Sequence, residues 1–244
     1  MGRGDRRIAE PLARSLRGIA LFEGLDDAER QRLEACCQWR SYRPGQQVIE
    51  SGSDGKEVFL VVRGSVNIIN FLPSRREVAF ATAREGDYFG ELAAIDRQPR
   101  SATAVAADEC FLAALPSDLF VDLLKRRVEV TFRVLQGLAH MVRTGDVRIL
   151  ELSTLPATQR VYTELLRMAV PDAAVPTLWV VRPLPPLREI ASRVSTTRET
   201  VARALSQLYP TGLLRRKGRN LYVMDRRRFE EIANALQSRS RAED

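Results

Sequence analysis

Between Pro116 and Pro156 the chain runs without a proline, and that uninterrupted stretch decides how the rest is divided. A proline in a helix interior removes a backbone hydrogen bond and clashes with the preceding turn, so a long proline-free stretch closed by prolines is where a long helix fits. Val128, Leu135, Val142 and Ile149 occupy the a positions of one heptad frame, and Leu138 and Leu152 occupy d, with Thr131 and Gly145 completing the d series. The frame persists over about four heptads, which predicts a dimerisation helix over 117–153. A helix packed inside a single domain is the competing reading, since it too shows a few such positions. Pro156 then marks a hinge or domain boundary.

The segments on either side follow different grammars. With 244 residues, 45% of them hydrophobic, the chain is long enough for more than one core. From 40 to 115, strand-like runs ("KEVFLVVRG", "SVNIINFL", "EVAFATA", "SATAVAADECFLAALP") are cut by Gly45, Gly52, Gly55, Gly64, Gly86 and Gly90, the pattern of an antiparallel β-roll, with the domain placed at 19–116. Beyond Pro156, "PLREIASRVSTTRETVARALSQL" is apolar at Leu187, Ile190 and Val194 and again at Val201, Leu205 and Leu208, with a break at Ser195 and Thr196. Two short amphipathic helices around a break predict a helix-turn-helix. Thr196 with Glu199 three residues on predicts a capping box. "GLLRRKGRNLYVMD" then predicts a hairpin about Lys217 and Gly218, the wing of a winged helix in a domain over 154–236. The expected class is α+β: an N-terminal antiparallel β-roll, a long dimerisation helix and a C-terminal winged helix-turn-helix.

Charge and composition narrow the function. Residues 154–244 hold 16 Lys or Arg against 9 Asp or Glu, and the remainder holds 22 of each, so the whole excess of +7 is C-terminal. A basic part on a neutral one suggests a reader of polyanions, with a merely solvated basic surface as the alternative. No run approaches the ~18 consecutive apolar residues that span a bilayer. The opening "MGRGDRRIAEPLARSLRG" lacks the apolar core of a signal peptide, so a soluble cytoplasmic protein without membrane partners is expected. Cys36, Cys37 and Cys110 have neither CxxC spacing nor the count of a disulfide framework. His140, the single histidine, leaves no multi-histidine metal site and disfavours an enzyme acting on its ligand.

Two constellations remain. "FGELAAIDRQPRSATAV" sets Glu91 and, nine residues on, Arg100 among mostly small and apolar residues, where a guanidinium is costly unless an anion meets it. In the other, the second helix of the helix-turn-helix turns Arg198, Glu199 and Arg203 outward, two donors for guanine and an acceptor for cytosine. A solvated pair between Glu199 and Arg203 is the alternative.

A glycine-punctuated roll with this stretch, a long helix and "TTRETVARAL" together resemble the bacterial cyclic-AMP receptor and fumarate-nitrate reductase regulator (Crp-Fnr) superfamily, from about Ile19 to Ile232. The resemblance implies a homodimeric transcription regulator that binds double-stranded DNA when a cyclic nucleotide occupies its roll. It implies that Arg100 pairs with the cyclic phosphate, Ser101 bonds a phosphate oxygen, Glu91 takes the ribose 2'-hydroxyl, and backbone N–H groups near Gly90 and Leu92 complete the cradle. An internal Glu91–Arg100 salt bridge in a vestigial pocket is the alternative. No cysteine precedes Cys36, as the iron-sulfur branch requires, and His140 lies outside the roll, where the haem branch needs a ligand, so neither cluster, haem nor metal is expected. Thr144, Gly145 and Asp146 fall where the receptor's base-reading hydroxyls lie. Gly145 and Asp146 replace those hydroxyls, and a carboxylate accepts from the guanine edge but opposes the lone pair of adenine N1. The expected ligand is cGMP or cAMP, with a slight tilt to cGMP.

The match of "RETVAR" implies a half-site similar to TGTGA in an inverted repeat. Thr197, Arg198, Glu199 and Arg203 would face the DNA, and Arg215, Arg216, Lys217 and Arg219 of the wing would meet phosphates. By family analogy the loop 171–181 could touch RNA polymerase. A ligand-gated regulatory subunit acting on a protein is a second class of function, one that would not need the basic C-terminal third.

Overall fold

The computed structural model describes residues 14–71, 77–175 and 177–240, with side chains described as far as Asn234. Most of the N-terminal stretch considered for a targeting signal lies outside these residues. The chain divides into two compact units: residues up to Asn70 together with Phe80–Leu138, and Phe71–Ala79 together with the chain from Ala139 onward.

In the first unit, helix α1 (Asp27–Cys36) precedes strands β1 (Gln38–Tyr42), β2 (Gln47–Ile49), β3 (Val58–Arg63), β4 (Ser65–Phe71), β5 (Glu77–Arg84) and β6 (Tyr88–Phe89). Helix α2 (Glu91–Asp96), β7 (Thr103–Ala106), β8 (Cys110–Leu115) and α3 (Ser117–Arg126) follow. The strands form two four-stranded sheets, ordered β1-β8-β3-β6 and β2-β7-β4-β5, and the registers among them are antiparallel. Runs apolar at every position make sense here. Phe59 and Val61 of β3 and Leu112 and Ala114 of β8 enter a core shared by both sheets. Their neighbours Val58, Leu60, Ala113 and Leu115 point the other way, into a second core with Leu33, Phe120 and Leu123 of the helices. Period-two alternation thus buries both faces of one sheet.

The proline-free stretch is not one helix. α3 stops at Arg127, whose φ of −123° and ψ of 94° are extended, and α4 (Val128–Thr154) starts anew. The Thr131 hydroxyl donates to the Leu124 and Arg127 carbonyls. The Arg127 guanidinium reaches Glu29 of α1 at 2.5 Å. Val130 and Val134 of α4 are buried in the roll's helical-side core, with Leu138 packed against it. The heptad frame is corrected accordingly: its a residues Val128, Leu135, Val142 and Ile149 are exposed, but the first d residues, Thr131 and Leu138, serve the first unit. Phe132, 59% exposed, stands on the open face in their place. Gly137 carries a notch: a Cβ there would stand 2.9 Å from the Tyr88 hydroxyl.

The second unit continues through α5 (Ala157–Met168), β9 (Val170–Pro171), β10 (Trp179–Val181), α6 (Leu187–Arg193), α7 (Arg198–Leu208), β11 (Leu214–Lys217), β12 (Asn220–Val223) and α8 (Arg226–Ser240). Its four strands run β11-β12-β10-β9. Val161 and Leu165 of α5, Ile190 of α6, Val201 and Leu205 of α7, and Leu221 and Phe229 share one core. Glu151, Arg167, Glu164 and Arg193 link α4, α5 and α6 by ion pairs of 2.6, 2.6 and 3.5 Å. Ser195 takes a left-handed φ of 51°, which makes the break between α6 and α7. The expected capping box on Thr196 is corrected. Thr196 is buried and its N–H donates to the Ala191 carbonyl, so the cap falls to Thr197, whose side chain accepts from the Thr200 N–H at 3.2 Å.

Candidate functional site

The first constellation is assembled where β6 passes into α2. Gly90 has φ +86°, and a Cβ there would stand 2.6 Å from Arg100 Nη1 and 3.1 Å from the Glu57 carbonyl, so glycine is required by conformation and by space. Arg100 is 5% exposed. Its Nη1 donates to the Gly90 carbonyl at 2.9 Å, and its Nη2 donates to the Glu57 carbonyl at 2.8 Å and to Glu57 Oε2 at 3.2 Å. The guanidinium lies 5.8 Å from the centre of the Phe59 ring. Burial lowers its pKa, and Glu57 and then Glu91 oppose that shift. Its backbone is tied as well, since Arg100 N–H donates to Ser53 O and Arg100 O accepts from Gly52 N–H. Arg97, which ends α2 at a left-handed φ of 63°, anchors the same segment to α3 through Ser117 at 3.0 Å and Asp118 at 2.7 Å.

Glu91 is 6% exposed, and burial raises its carboxyl above the usual range; its own N–H and then Arg100 oppose the shift. The expected alternative pairing is corrected: Arg100 makes its ion pair with Glu57, and Glu91 makes none among the described residues. A buried carboxylate without a direct ion pair is an acceptor set for a hydroxyl donor. The N–H groups of Glu91 and Leu92 open α2 and have no earlier helical partner, while Ser101 is exposed beside Arg100. A fixed cation, a lone acceptor and helix-start donors within one segment suit a ligand combining a monoanionic phosphate with a hydroxyl.

Thr144, Gly145 and Asp146 lie on α4 in the second unit. Thr144 and Gly145 are half-buried and Asp146 is exposed, and a Cβ at Gly145 would meet nothing within 4 Å. His140 is exposed on the same helix. Among the described residues no three His, Cys, Asp or Glu side chains gather as a metal site, and no helix is long and apolar enough to cross a membrane.

The second constellation is on α7, whose buried face is Val201, Ala204, Leu205 and Leu208. Thr197, Arg198, Glu199 and Arg203 are exposed on the other side. The pair between Glu199 and Arg203, weighed as the alternative to DNA contact, is absent from the ion pairs of the described residues. Instead the Glu199 N–H and the Thr197 hydroxyl hold the Glu199 carboxyl below its usual range. Beside α7, β11 and β12 turn at Gly218, φ +60°, and present Arg215, Arg216, Lys217 and Arg219 to solvent. The loop 171–181 folds back as β9 and β10, with residue 176 outside the described set.

Several residues escaped sequence reading. Glu57 and Phe59 belong to the Arg100 cradle from 43 and 41 residues away, and no local pattern links them. Gly55 is similar, for a Cβ there would stand 3.2 Å from Glu57 Oε2 and 3.5 Å from Arg100 Nη2. Tyr88, two residues before Gly90, is pushed up to about 12 by burial, with Glu91 and Asp87 adding to it, so its hydroxyl stays protonated in the notch at Gly137.

Comparison with known proteins gives a family match to each half of the chain. The family model of the cyclic nucleotide-binding domain matches residues 39–127, and that of the Crp-like helix-turn-helix domain matches residues 159–232. The chain is 30% identical over 221 residues to the cyclic AMP receptor protein of Thermus thermophilus, covering 91% of this chain and 100% of that protein. It is 27% identical over 215 residues to a CRP-like cAMP-activated global transcriptional regulator of Mycobacterium tuberculosis, covering 87% and 96%. Among solved structures, FixK2 from Bradyrhizobium japonicum is similar, with a TM-score of 0.63 and 27% identity over 80% of this chain and 96% of that one.

Proposed function

We propose, from the premise that this chain belongs to the Crp-Fnr superfamily of transcription factors, that it is a homodimeric regulator whose roll binds cGMP or cAMP and whose α7 reads a TGTGA-like inverted repeat. The domains are taken as 19–116 for the roll and 154–236 for DNA, with the dimerisation expected over 117–153 assigned to α4, since α3 packs into the roll's core. Arg100 carries the reading: a guanidinium 5% exposed, held by two backbone carbonyls, is ready for an anion that arrives without its own counter-ion. Gly90, Glu91, Leu92 and Ser101 would complete the phosphate and ribose contacts, and Thr144, Gly145 and Asp146 would meet the base. The free carboxylate of Asp146 supports the tilt to cGMP, while relatives described as cAMP-activated support cAMP.

The exposed apolar row Val128, Phe132, Leu135, Val142 and Ile149 supports a second copy of the chain as the partner of α4. Two copies related by a two-fold axis would set two α7 helices on half-sites about one DNA turn apart. Arg198 and Arg203 would read guanines, Glu199 a cytosine edge and Thr197 its neighbourhood, while Arg215, Arg216, Lys217 and Arg219 would neutralise phosphates. The ligand would act by favouring the DNA-competent arrangement of a pre-existing equilibrium. Such a regulator works in the cytoplasm and is not an enzyme; RNA polymerase would be approached through 171–181.

The deciding experiment is isothermal titration with cAMP and cGMP side by side, followed by fluorescence anisotropy on a TGTGA palindrome with and without each nucleotide. Binding of one nucleotide that strengthens palindrome binding is expected. A protein that binds the palindrome equally well without nucleotide would overturn the ligand-gated reading.

A further inference from the structure

The Arg100 guanidinium is held twice over. Two contacts, to the Gly90 and Glu57 carbonyls at 2.9 and 2.8 Å, fix its plane from the backbone, and the third, to the Glu57 carboxylate, is the longest at 3.2 Å. The pair is asymmetric, since the Arg100 side chain is 4% exposed and that of Glu57 is 40% exposed. The carboxylate is therefore the outer partner of the pair, in contact with solvent where the guanidinium is not. Gly55 keeps the space beside the pair open, because a side chain there would press on Glu57 Oε2.

We propose that Glu57 is the resident counter-ion of Arg100 and that an incoming phosphate must displace it, so that Glu57 sets the affinity of the pocket. This rests on the reading of the roll as a cyclic-nucleotide site and deepens it. Positioning of Arg100 does not require the carboxylate, for the two backbone carbonyls remain when it is removed. With the guanidinium buried, the carboxylate stabilises the empty site, whereas a carboxylate left within a few ångströms of a bound phosphate repels it. The repulsion acts on the phosphate, which cAMP and cGMP share, and so is blind to the base.

The test is titration calorimetry of the full chain with cAMP and cGMP, comparing wild type with Glu57→Gln, Glu57→Ala and Glu57→Asp. Glu57→Gln and Glu57→Ala are expected to bind both nucleotides about 3- to 30-fold more tightly, as for removal of a partly screened like charge. Glu57→Asp, which keeps the charge, should return toward wild type. Melting of the ligand-free Glu57→Gln and Glu57→Ala proteins should fall, because the buried guanidinium loses its counter-ion, and that loss of stability is opposite in sign to the tighter binding and so separates the two effects. Weaker or unchanged binding by Glu57→Gln, in a wild type that does bind nucleotide, overturns this inference and leaves the nucleotide site standing. A wild type that binds neither nucleotide overturns both.

Discussion

Arg100 and Arg203 carry the same side chain in opposite circumstances. Arg100 is buried, tied at both nitrogens of its fork, and anchored through its own backbone. Arg203 stands exposed on α7 with no ion pair among the described residues. The first arrangement suits recognition of one small anion, because the guanidinium is already desolvated and oriented, and the ordering cost was met in folding. The second suits a large polyanion that brings its own geometry, where arginines are recruited from water and affinity follows salt. Loss of either arginine should therefore read out differently, in magnitude and in what it depends on.

The largest effect is expected at the buried site. Arg100→Ala should weaken nucleotide binding by about 2 to 5 kcal/mol, since it removes a desolvated charged contact and leaves its partner unpaired. Calorimetry measures this, and unchanged affinity would dissolve the contrast by showing that the buried guanidinium meets no ligand.

Arg203→Ala should cost about 1 to 3 kcal/mol on a TGTGA palindrome and much less on DNA altered at the guanine it reads. Substitutions at Arg215, Arg216, Lys217 or Arg219 should weaken both DNAs alike and lower the salt slope by about one per residue. Anisotropy at several salt concentrations separates the two behaviours. Equal weakening of both DNAs by Arg203→Ala would class it with the wing.

Asp146→Ser sharpens the comparison from the ligand's other end: it should weaken cGMP relative to cAMP by about 1 to 3 kcal/mol if its carboxylate accepts from guanine. Equal effects in paired titrations would return Asp146 to the helix surface.

The smallest effect concerns Glu91, the acid of the buried site. Its folded pKa is raised by burial, so its contribution to stability is present below the ordinary carboxylate value of about 4.3 and is lost as pH rises through the folded value. At neutral pH the ionised group weighs against the unliganded fold. Glu91→Gln should then melt slightly higher than wild type at pH 7 without nucleotide, lose that advantage near pH 4, and bind nucleotide less tightly. Melting curves at the two pH values provide the check, and a lower Tm at pH 7 would mean that ionised Glu91 is stabilised in place.

The roll, the helix-turn-helix and the wing were legible because each announces itself locally, through strand runs between glycines, a helical apolar period on each side of Ser195, and a basic turn at Gly218. What was not legible depends on residues far apart. No proline or glycine warns of the break at Arg127; burial of Val130 and Val134 against the roll gives α4 its own course. Thr196 and Thr197 are equally good caps in sequence, and only the bond from Thr196 N–H to Ala191 O assigns the cap to Thr197. Arg100 was singled out by its chemistry. Its partner Glu57, however, is fixed by the approach of β3 to the start of α2, which no spacing encodes.

The contact at Gly137 links the long helix to the cradle through one ring. A Cβ at position 137 would stand 2.9 Å from the Tyr88 hydroxyl, so any larger residue there obliges the Tyr88 side chain to move. Tyr88 lies two residues before the glycine whose carbonyl holds Arg100, so crowding at the helix would be felt on the strand that leads into the cradle.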